Sequence, residues 1–351
     1  MSHSIFKGRV LARATQILAV SAGLCAAAPA LAAEEVTLYT TREPGLIQPL
    51  LNSFTEQSGV KVNTVFVKDG LLERVKAEGE RSPVDVLMTV DMGALLDLVQ
   101  AGVTQPVKSE AIKAAIPANL RGADDQWFAL SMRARVLYAD KNQKFPAKMR
   151  YEDLADPRWK GKVCIRSGQH PYNTALVAAM LTHSGEAKTE AWLTGLKNNL
   201  ARKAAGGDRD VARDILGGIC DIGVANSYYV GRMKTADPGS DNRKWGDAIQ
   251  VIRPSFANGQ GTHVNVSGAA VAKNAPHKAQ AVKLLEFLVS PKAQQMYAQS
   301  NFEYPVRKGV AIDPVIKQSI GEITPDTTSL VDIARNRKKA SELIDKVGFD
   351  R

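Results

Sequence analysis

The regular alternation of short apolar runs and amphipathic stretches after residue 35 constrains the fold of this chain most. Apolar, β-branched runs at residues 36–40, 60–67 and 84–89 predict three strands. The segments between them have helical periodicity, one ending at Gly59 and the other spanning Leu71 to Glu80. A β-α-β-α-β order predicts an α/β fold whose parallel sheet is covered on both faces.

Two later stretches have the pattern of strands that cross between lobes. Residues 131–138 and 262–271 both alternate in period two, and roughly 125 residues separate them. A domain inserted between two crossing strands explains this spacing. We therefore expect a two-lobed, type II-like binding-protein fold, with its parts in this order: residues 34–132 and 263–305 as lobe 1, residues 133–262 as an inserted lobe 2, and residues 306–351 as C-terminal helices.

Residues 1–33 have the pattern of a secretory signal peptide. Three basic residues precede an apolar stretch over residues 17–32, and Ala30-Leu31-Ala32 offers a cleavage site. Cys25 raises the alternative of a lipoprotein anchor, but it follows Leu24, where a small residue would be expected. We expect cleavage near residue 33 and export to the periplasm of a protein that does not span the membrane.

Charge and motifs exclude several classes of function. Loss of the three basic residues of the signal peptide lowers the formal net charge from +10 to +7. No basic run marks a nucleic-acid-binding arm. The chain also lacks the nucleophile-elbow, zinc-protease, Walker and dinucleotide-loop motifs, so no enzymatic activity is predicted.

Two cysteines remain after cleavage, Cys164 and Cys220. An even pair in an oxidising compartment most simply forms one disulfide, although two buried thiols are the alternative. No C-x-x-C spacing indicates a redox or zinc site.

Two adjacent tyrosines, Tyr228 and Tyr229, follow the short apolar run that begins at Cys220. Val224 and Ala225 have the pattern of a buried strand end, and Ser227 is a favourable helix N-cap. The phenols would then lie at a strand-to-helix corner, where open α/β folds bind ligands. As phenolate, tyrosine is a hard oxygen donor suited to a highly charged cation. The pair alone is also explained by packing.

Several motifs together resemble the ferric-iron-binding proteins of ABC transporters, sometimes called bacterial transferrins. The segment from Asn274 to Gln294, a proline-containing turn followed by an amphipathic helix, is typical of extracytoplasmic solute-binding proteins in general. The motifs that narrow the resemblance to iron are Tyr39-Thr40-Thr41-Arg42, Ser82-Pro83-Val84-Asp85-Val86-Leu87, Arg133-Ala134-Arg135-Val136, Trp159-Lys160-Gly161-Lys162-Val163, Tyr172-Asn173 and Ala225-Asn226-Ser227-Tyr228-Tyr229.

This resemblance implies that Fe³⁺ is bound by the phenolates of Tyr172, Tyr228 and Tyr229. It also implies a synergistic anion, carbonate or bicarbonate, held by Arg42 and Arg133 with help from the Thr41 hydroxyl. A monomer that delivers iron to an inner-membrane ABC permease is the expected biological form.

The sequence departs from part of the family after Arg42. Some members carry a His-Tyr pair there, whereas this chain has Glu43-Pro44. Glu43 is expected to cap the following helix, with an iron-ligand role as the alternative. Tyr39 is expected to pack within its strand, and His170 to be exposed or hydrogen-bonded.

Two other functions stay open on the sequence. The first is a solute-binding protein for another ligand, such as an anion held by Arg42 and Arg133, or a polyamine or sugar stacked on the tyrosines. The second is a secreted interaction protein without a small ligand.

Overall fold

The computed structural model describes residues 34–351, and the predicted signal peptide lies outside this range. None of the helices in the described range is both long and apolar enough to cross a membrane. The strands are β1 (Glu35–Thr40), β2 (Lys61–Phe66), β3 (Val86–Thr89), β4 (Thr104–Gln105), β5 (Phe128–Asp140), β6 (Val163–Cys164), β7 (Ile222–Asn226), β8 (Ile249–Ile252), β9 (Val264–Ala272) and β10 (Tyr304–Pro305). The α-helices are α1 (Pro44–Ser58), α2 (Leu71–Glu78), α3 (Met92–Gln100), α4 (Glu110–Ala115), α5 (Pro171–Ser184), α6 (Glu186–Asn198), α7 (Asp208–Leu216), α8 (Tyr228–Lys234), α9 (Asp241–Ala248), α10 (Lys278–Leu288), α11 (Pro291–Asn301), α12 (Pro314–Ser319), α13 (Leu330–Arg335) and α14 (Arg337–Lys346).

The first three strands form the predicted parallel sheet. Strand β1 lies between β2 and β3 and pairs in parallel with both. Helix α1 buries Ile47, Leu50, Leu51 and Phe54 on one face, and it ends at Gly59, whose φ of 73° is the left-handed value that glycine adopts readily. The helical periodicity of this segment is thus confirmed.

Strand β5 crosses from one lobe to the other. Its first half, Phe128 to Ala134, pairs with β9, and its second half, Arg135 to Asp140, pairs with β7 and β8. Strand β9 continues the first lobe by pairing with β3, so the order across the sheet is β2-β1-β3-β9-β5-β7-β6. The two-lobed α/β fold with two crossing strands is confirmed, while the residue boundaries of the lobes stay predictions.

A disulfide joins Cys164 at the end of β6 to Cys220, just before β7. The two Cα atoms are 5.9 Å apart and the bridge closes a separation of 56 residues. Strands β6 and β7 pair in parallel, so the bridge fastens neighbouring strands that lead toward Tyr172 and Tyr228. This confirms the predicted disulfide rather than two separate thiols.

The buried residue His263, immediately before β9, is expected to make the stability of the protein depend on pH. Its side chain is buried, and neither ring nitrogen has a hydrogen-bond partner among residues 34–351. Burial lowers the pKa of His263 from 6.5 to about 4, although the nearby Asp326 carboxylate acts in the opposite direction. The folded state therefore holds this imidazole neutral at pH values where the unfolded chain binds a proton.

We expect the contribution of His263 to the free energy of unfolding to be complete above pH 6.5. This contribution should be lost as the pH falls toward 4. The loss amounts to about 3 kcal/mol. Urea unfolding of the wild type and of His263→Gln between pH 4 and 7 measures it, because the substituted side chain does not titrate. Parallel pH profiles for the two proteins would contradict the expectation.

Candidate metal centre

Three tyrosines from two helix starts come together in the second lobe. Tyr172 is the second residue of α5, and Tyr228 and Tyr229 are the first two residues of α8. The Oη atoms of Tyr172 and Tyr228 lie 3.5 Å apart, and the ring centroids of Tyr228 and Tyr229 are 4.1 Å apart. The structure thus gathers the three tyrosines that the sequence singled out, and two phenol oxygens are close enough to contact one ion together.

Burial sets the protonation state of Tyr228 and Tyr229. Tyr228 is 8% exposed, and burial raises its pKa well above 10.0, with further increases from the neighbouring phenols of Tyr172 and Tyr229. Burial also raises the pKa of Tyr229. Both phenols are therefore protonated at neutral pH when no metal ion is bound. A hard, highly charged cation would displace the protons, since a bound cation reverses the local preference for the neutral form.

Positive charge is concentrated around the ring of Tyr172. The guanidinium carbons of Arg133, Arg135 and Arg166 lie 5.9, 5.9 and 5.3 Å from its centroid. Arg133 donates to the carbonyl of Val90, and its buried Nε has no hydrogen-bond partner within the described part of the chain. Such a group can still donate to an anion. Arg166 did not emerge from sequence reasoning.

His170 holds the start of α5 in place. Its Nδ1 accepts a hydrogen bond from the Tyr172 amide at 3.2 Å, and the two rings are 4.5 Å apart. Burial, followed by the charge of Arg166, lowers the pKa of His170 to about 4, which keeps it a neutral acceptor. The predicted hydrogen bond of His170 is therefore present, and it caps the helix that carries Tyr172.

The predicted capping role of Ser227 is wrong. Ser227 already has helical backbone angles, and its hydroxyl makes no hydrogen bond to the helix amides. Its Oγ instead accepts from the amide of Ala134 in β5 at 3.2 Å, and its own amide donates to the Ala134 carbonyl at 2.9 Å. Ser227 thus fastens the corner before Tyr228 to the crossing strand.

Arg42 lies in the first lobe, and its guanidinium group already contacts other side chains of the protein. Its two Nη atoms each lie 3.0 Å from a carboxylate oxygen of Glu303, and Nη2 also donates to Ser267 Oγ at 2.5 Å. Burial lowers the pKa of Arg42, but Glu303 and then the phenols of Tyr297 and Tyr228 outweigh it and raise the value overall. Only Nε has no hydrogen-bond partner in residues 34–351. The anion-binding role of Arg42 stays a prediction.

Three further side chains at the end of β1 and in the loop after it, those of Tyr39, Thr41 and Glu43, make different contacts. Thr41 Oγ1 accepts from the Val90 amide at 3.1 Å, which leaves its proton free to donate. Glu43 is exposed and its side chain does not cap α1, so that prediction is wrong: the Leu46 amide donates to the backbone carbonyl of Glu43 instead. Tyr39 packs within its strand as predicted, and its phenol donates to Glu78 at 3.1 Å.

A cleft of about 950 Å³ reaches this region. Its walls include Thr41, Thr89 and Asp91 from the ends of the first-lobe strands, and Gln169, Pro171 and Thr174 around the start of α5. Ligands of open α/β folds bind at such strand ends. The cleft therefore lies beside the helix start that carries Tyr172, but none of the three tyrosines is among the residues that line it.

Residues 81–323 match the family described as bacterial extracellular solute-binding protein. The chain belongs to this family. This solute-binding protein is 41% identical to iron uptake protein A1 of Synechocystis, over 90% of this chain and 88% of the relative.

Solved structures agree with the fold of this solute-binding protein. A Bordetella ferric binding protein is 68% identical and covers 91% of this chain and 100% of its own, with a TM-score of 0.87. A Trichodesmium protein in complex with iron and citrate is 42% identical, covers 90% of this chain and 99% of its own, and has a TM-score of 0.85.

Two features of the site had no signal in the sequence. Glu303 pairs with Arg42 across 261 residues, and Asp208 pairs with Arg135 across 73. Asp208, the partner of Arg135, begins α7 in the inserted segment. Acidic side chains next to ordinary helices carry no local mark of such distant partners.

Proposed function

We propose that this protein captures Fe³⁺ in the periplasm and delivers it to an ABC permease of the inner membrane. Tyr172, Tyr228 and Tyr229 bind the ion as phenolates, and a carbonate or bicarbonate anion completes its coordination. Release follows reopening of the lobes or reduction of the ion. The single observation that carries the proposal is the 3.5 Å approach of the Tyr172 and Tyr228 phenol oxygens, with the ring of Tyr229 4.1 Å from that of Tyr228.

The donor chemistry suits this ion. Three phenolates balance the charge of Fe³⁺, which is hard and prefers oxygen donors. Among residues 34–351, no three His, Cys, Asp or Glu side chains cluster as an alternative metal site. The remaining coordination positions are then open to an anion, for which the Nε atoms of Arg133 and Arg42 and the Thr41 hydroxyl are the proposed donors.

Relatives support the choice of solute. Their names refer to iron uptake in Synechocystis and ferric binding in Bordetella, and the Trichodesmium protein holds iron with citrate. Membership in a solute-binding family supports transport rather than catalysis. The two crossing strands supply the hinge about which such lobes close on a solute.

A second candidate is a solute-binding protein for an anion without iron. Its support is the positive charge around Tyr172, where the guanidinium groups of Arg133, Arg135 and Arg166 all lie within 5.9 Å of the ring centroid. Titration calorimetry with bicarbonate, phosphate or citrate in metal-free buffer distinguishes this candidate from iron capture.

The deciding experiment adds ferric nitrilotriacetate and bicarbonate to purified, metal-free protein. We expect a visible tyrosinate-to-iron charge-transfer band that saturates at one Fe³⁺ per chain. Binding should also release protons, because buried neutral phenols become phenolates. A colourless protein that takes up no iron would refute the proposal, and anion binding under the same conditions would favour the second candidate.

A further inference from the structure

We infer that Arg135 is a positioning residue that fixes the two tyrosine-bearing helix starts against each other. This inference rests on the proposed function and deepens it, because it concerns what keeps the phenols of the two helix starts close enough to bind one ion. Arg135 is 1% exposed and begins the half of β5 that pairs with the second lobe.

One guanidinium contacts both tyrosine-bearing segments. Nη2 donates to Asn173 Oδ1 at 2.6 Å, and Asn173 directly follows Tyr172. Nη1 donates to Asn226 Oδ1 at 3.1 Å, and Asn226 ends β7 two residues before Tyr228. The start of α5 and the start of α8 are thus linked through the two terminal nitrogens of a single planar group.

Asp208 completes and orients this cluster. Its Oδ2 lies 2.6 Å from Arg135 Nη1 and accepts a second hydrogen bond from the Asn226 amide at 2.8 Å. Asn173 in turn donates to the carbonyls of Arg166 and Ser167 at 2.9 and 3.0 Å, which closes the loop before Tyr172. Arg135, Asn173, Asp208 and Asn226 are all buried.

The geometry of the guanidinium matters as much as its charge. Arginine presents several donors in one fixed plane, whereas lysine concentrates its charge on one rotatable ammonium group. A lysine at this position could keep the ion pair with Asp208 but could not hold Asn173 and Asn226 at the same time in the same geometry. Groups that orient metal ligands in this way typically change metal affinity by about 10- to 100-fold when removed.

The test compares iron binding and stability in the same variants. For Arg135→Lys we expect about 10- to 100-fold weaker Fe³⁺ binding in competition with nitrilotriacetate, together with a shifted charge-transfer band. The double variant Arg135→Gln/Asp208→Asn removes both charges of the Arg135–Asp208 pair, and it also takes from Arg166 the carboxylate oxygen that lies 3.5 Å from its Nη1. We expect its Tm to recover relative to Arg135→Gln alone, while its band stays shifted.

A matched pair of asparagines separates positioning from stability. Asn199, like Asn173, is buried and donates to two backbone carbonyls, those of Leu154 and Asp156, both at 2.8 Å. Within residues 34–351 it makes no hydrogen bond to Arg135 or to the three tyrosines. Asn173→Ala and Asn199→Ala should both lower the Tm. Only Asn173→Ala should shift the band and weaken iron binding.

The outcomes are distinguishable from those of the proposed function. A wild-type protein without any iron-dependent band would overturn the proposed function and this inference together. A coloured wild type whose band and iron affinity are unchanged in folded Arg135→Lys and Asn173→Ala would overturn the inference alone. A band that returns to its wild-type position in the double variant would also overturn it, since the cluster would then act only on stability.

Discussion

Replacing Tyr228 with phenylalanine is expected to weaken Fe³⁺ binding by more than about 100-fold, because removal of an outer-shell partner alone reaches that size. The phenol oxygen of Tyr228 lies 3.5 Å from that of Tyr172, and its ring contacts the ring of Tyr229. Loss of its oxygen removes one negative donor and leaves the ion with two. The charge-transfer band should bleach or shift in wavelength, and fewer protons should be released on binding.

Tyr229→Phe tests the same prediction from the neighbouring position, and Tyr39→Phe is the matched control. Tyr39 is also a buried tyrosine, but its phenol donates to Glu78. Its substitution should lower the Tm slightly and leave colour and affinity unchanged. Equal iron affinity in the wild type, Tyr228→Phe and Tyr229→Phe would remove both residues from the site.

Glu303→Gln is expected to lower the unfolding free energy by about 3–5 kcal/mol, the usual result of leaving one member of a buried ion pair without its partner. Both Nη atoms of Arg42 lie 3.0 Å from the Glu303 carboxylate, and neither side chain is more than 4% exposed. Burial raises the pKa of Glu303, but the charges of Arg42 and Arg133 outweigh it and lower the value overall. The amide that replaces this carboxylate cannot balance the buried guanidinium.

Urea unfolding at neutral pH measures this effect, with Glu78→Gln as the control. Glu78 pairs with Arg74 at 2.9 Å and also accepts hydrogen bonds from Tyr39 and Ser82, but the Arg74 and Glu78 side chains are 43% and 24% exposed, so the change should cost less than that of Glu303. The double variant Arg42→Gln/Glu303→Gln should regain part of the stability. Equal losses of unfolding free energy in Glu303→Gln and Glu78→Gln would contradict the prediction that the buried Arg42–Glu303 pair is the more costly one to break.

Local patterns predicted a large part of this protein. Strand alternation and helical periodicity depend on neighbours two to four residues apart, so β1 to β3, α1 and the crossing segment of β5 could be located from the chain alone. Tyr228 and Tyr229 were singled out as an adjacent pair after a strand, and the resemblance to a known family added Tyr172. The disulfide followed from the number of cysteines and the expected compartment.

Predictions that required the direction of a single side chain were less successful. Ser227 and Glu43 both stand directly before helices, where capping is the usual role, yet neither side chain caps. Ser227 has helical backbone angles, and its hydroxyl accepts a hydrogen bond from β5. At Glu43 the backbone carbonyl, not the side chain, accepts the hydrogen bond from the Leu46 amide. Tertiary contacts and local backbone geometry decided both cases.

The sequence alone predicted the α/β class and the two crossing strands, because both depend on local periodicity, and its resemblance to a known family singled out the three tyrosines. The tertiary structure alone decided which charges surround those tyrosines. Arg42 meets Glu303 across 261 residues, and Arg135 meets Asn173, Asp208 and Asn226 across 38, 73 and 91. Buried polar groups must find partners wherever the folded chain places them, and only the packing of both lobes fixes which partners those are.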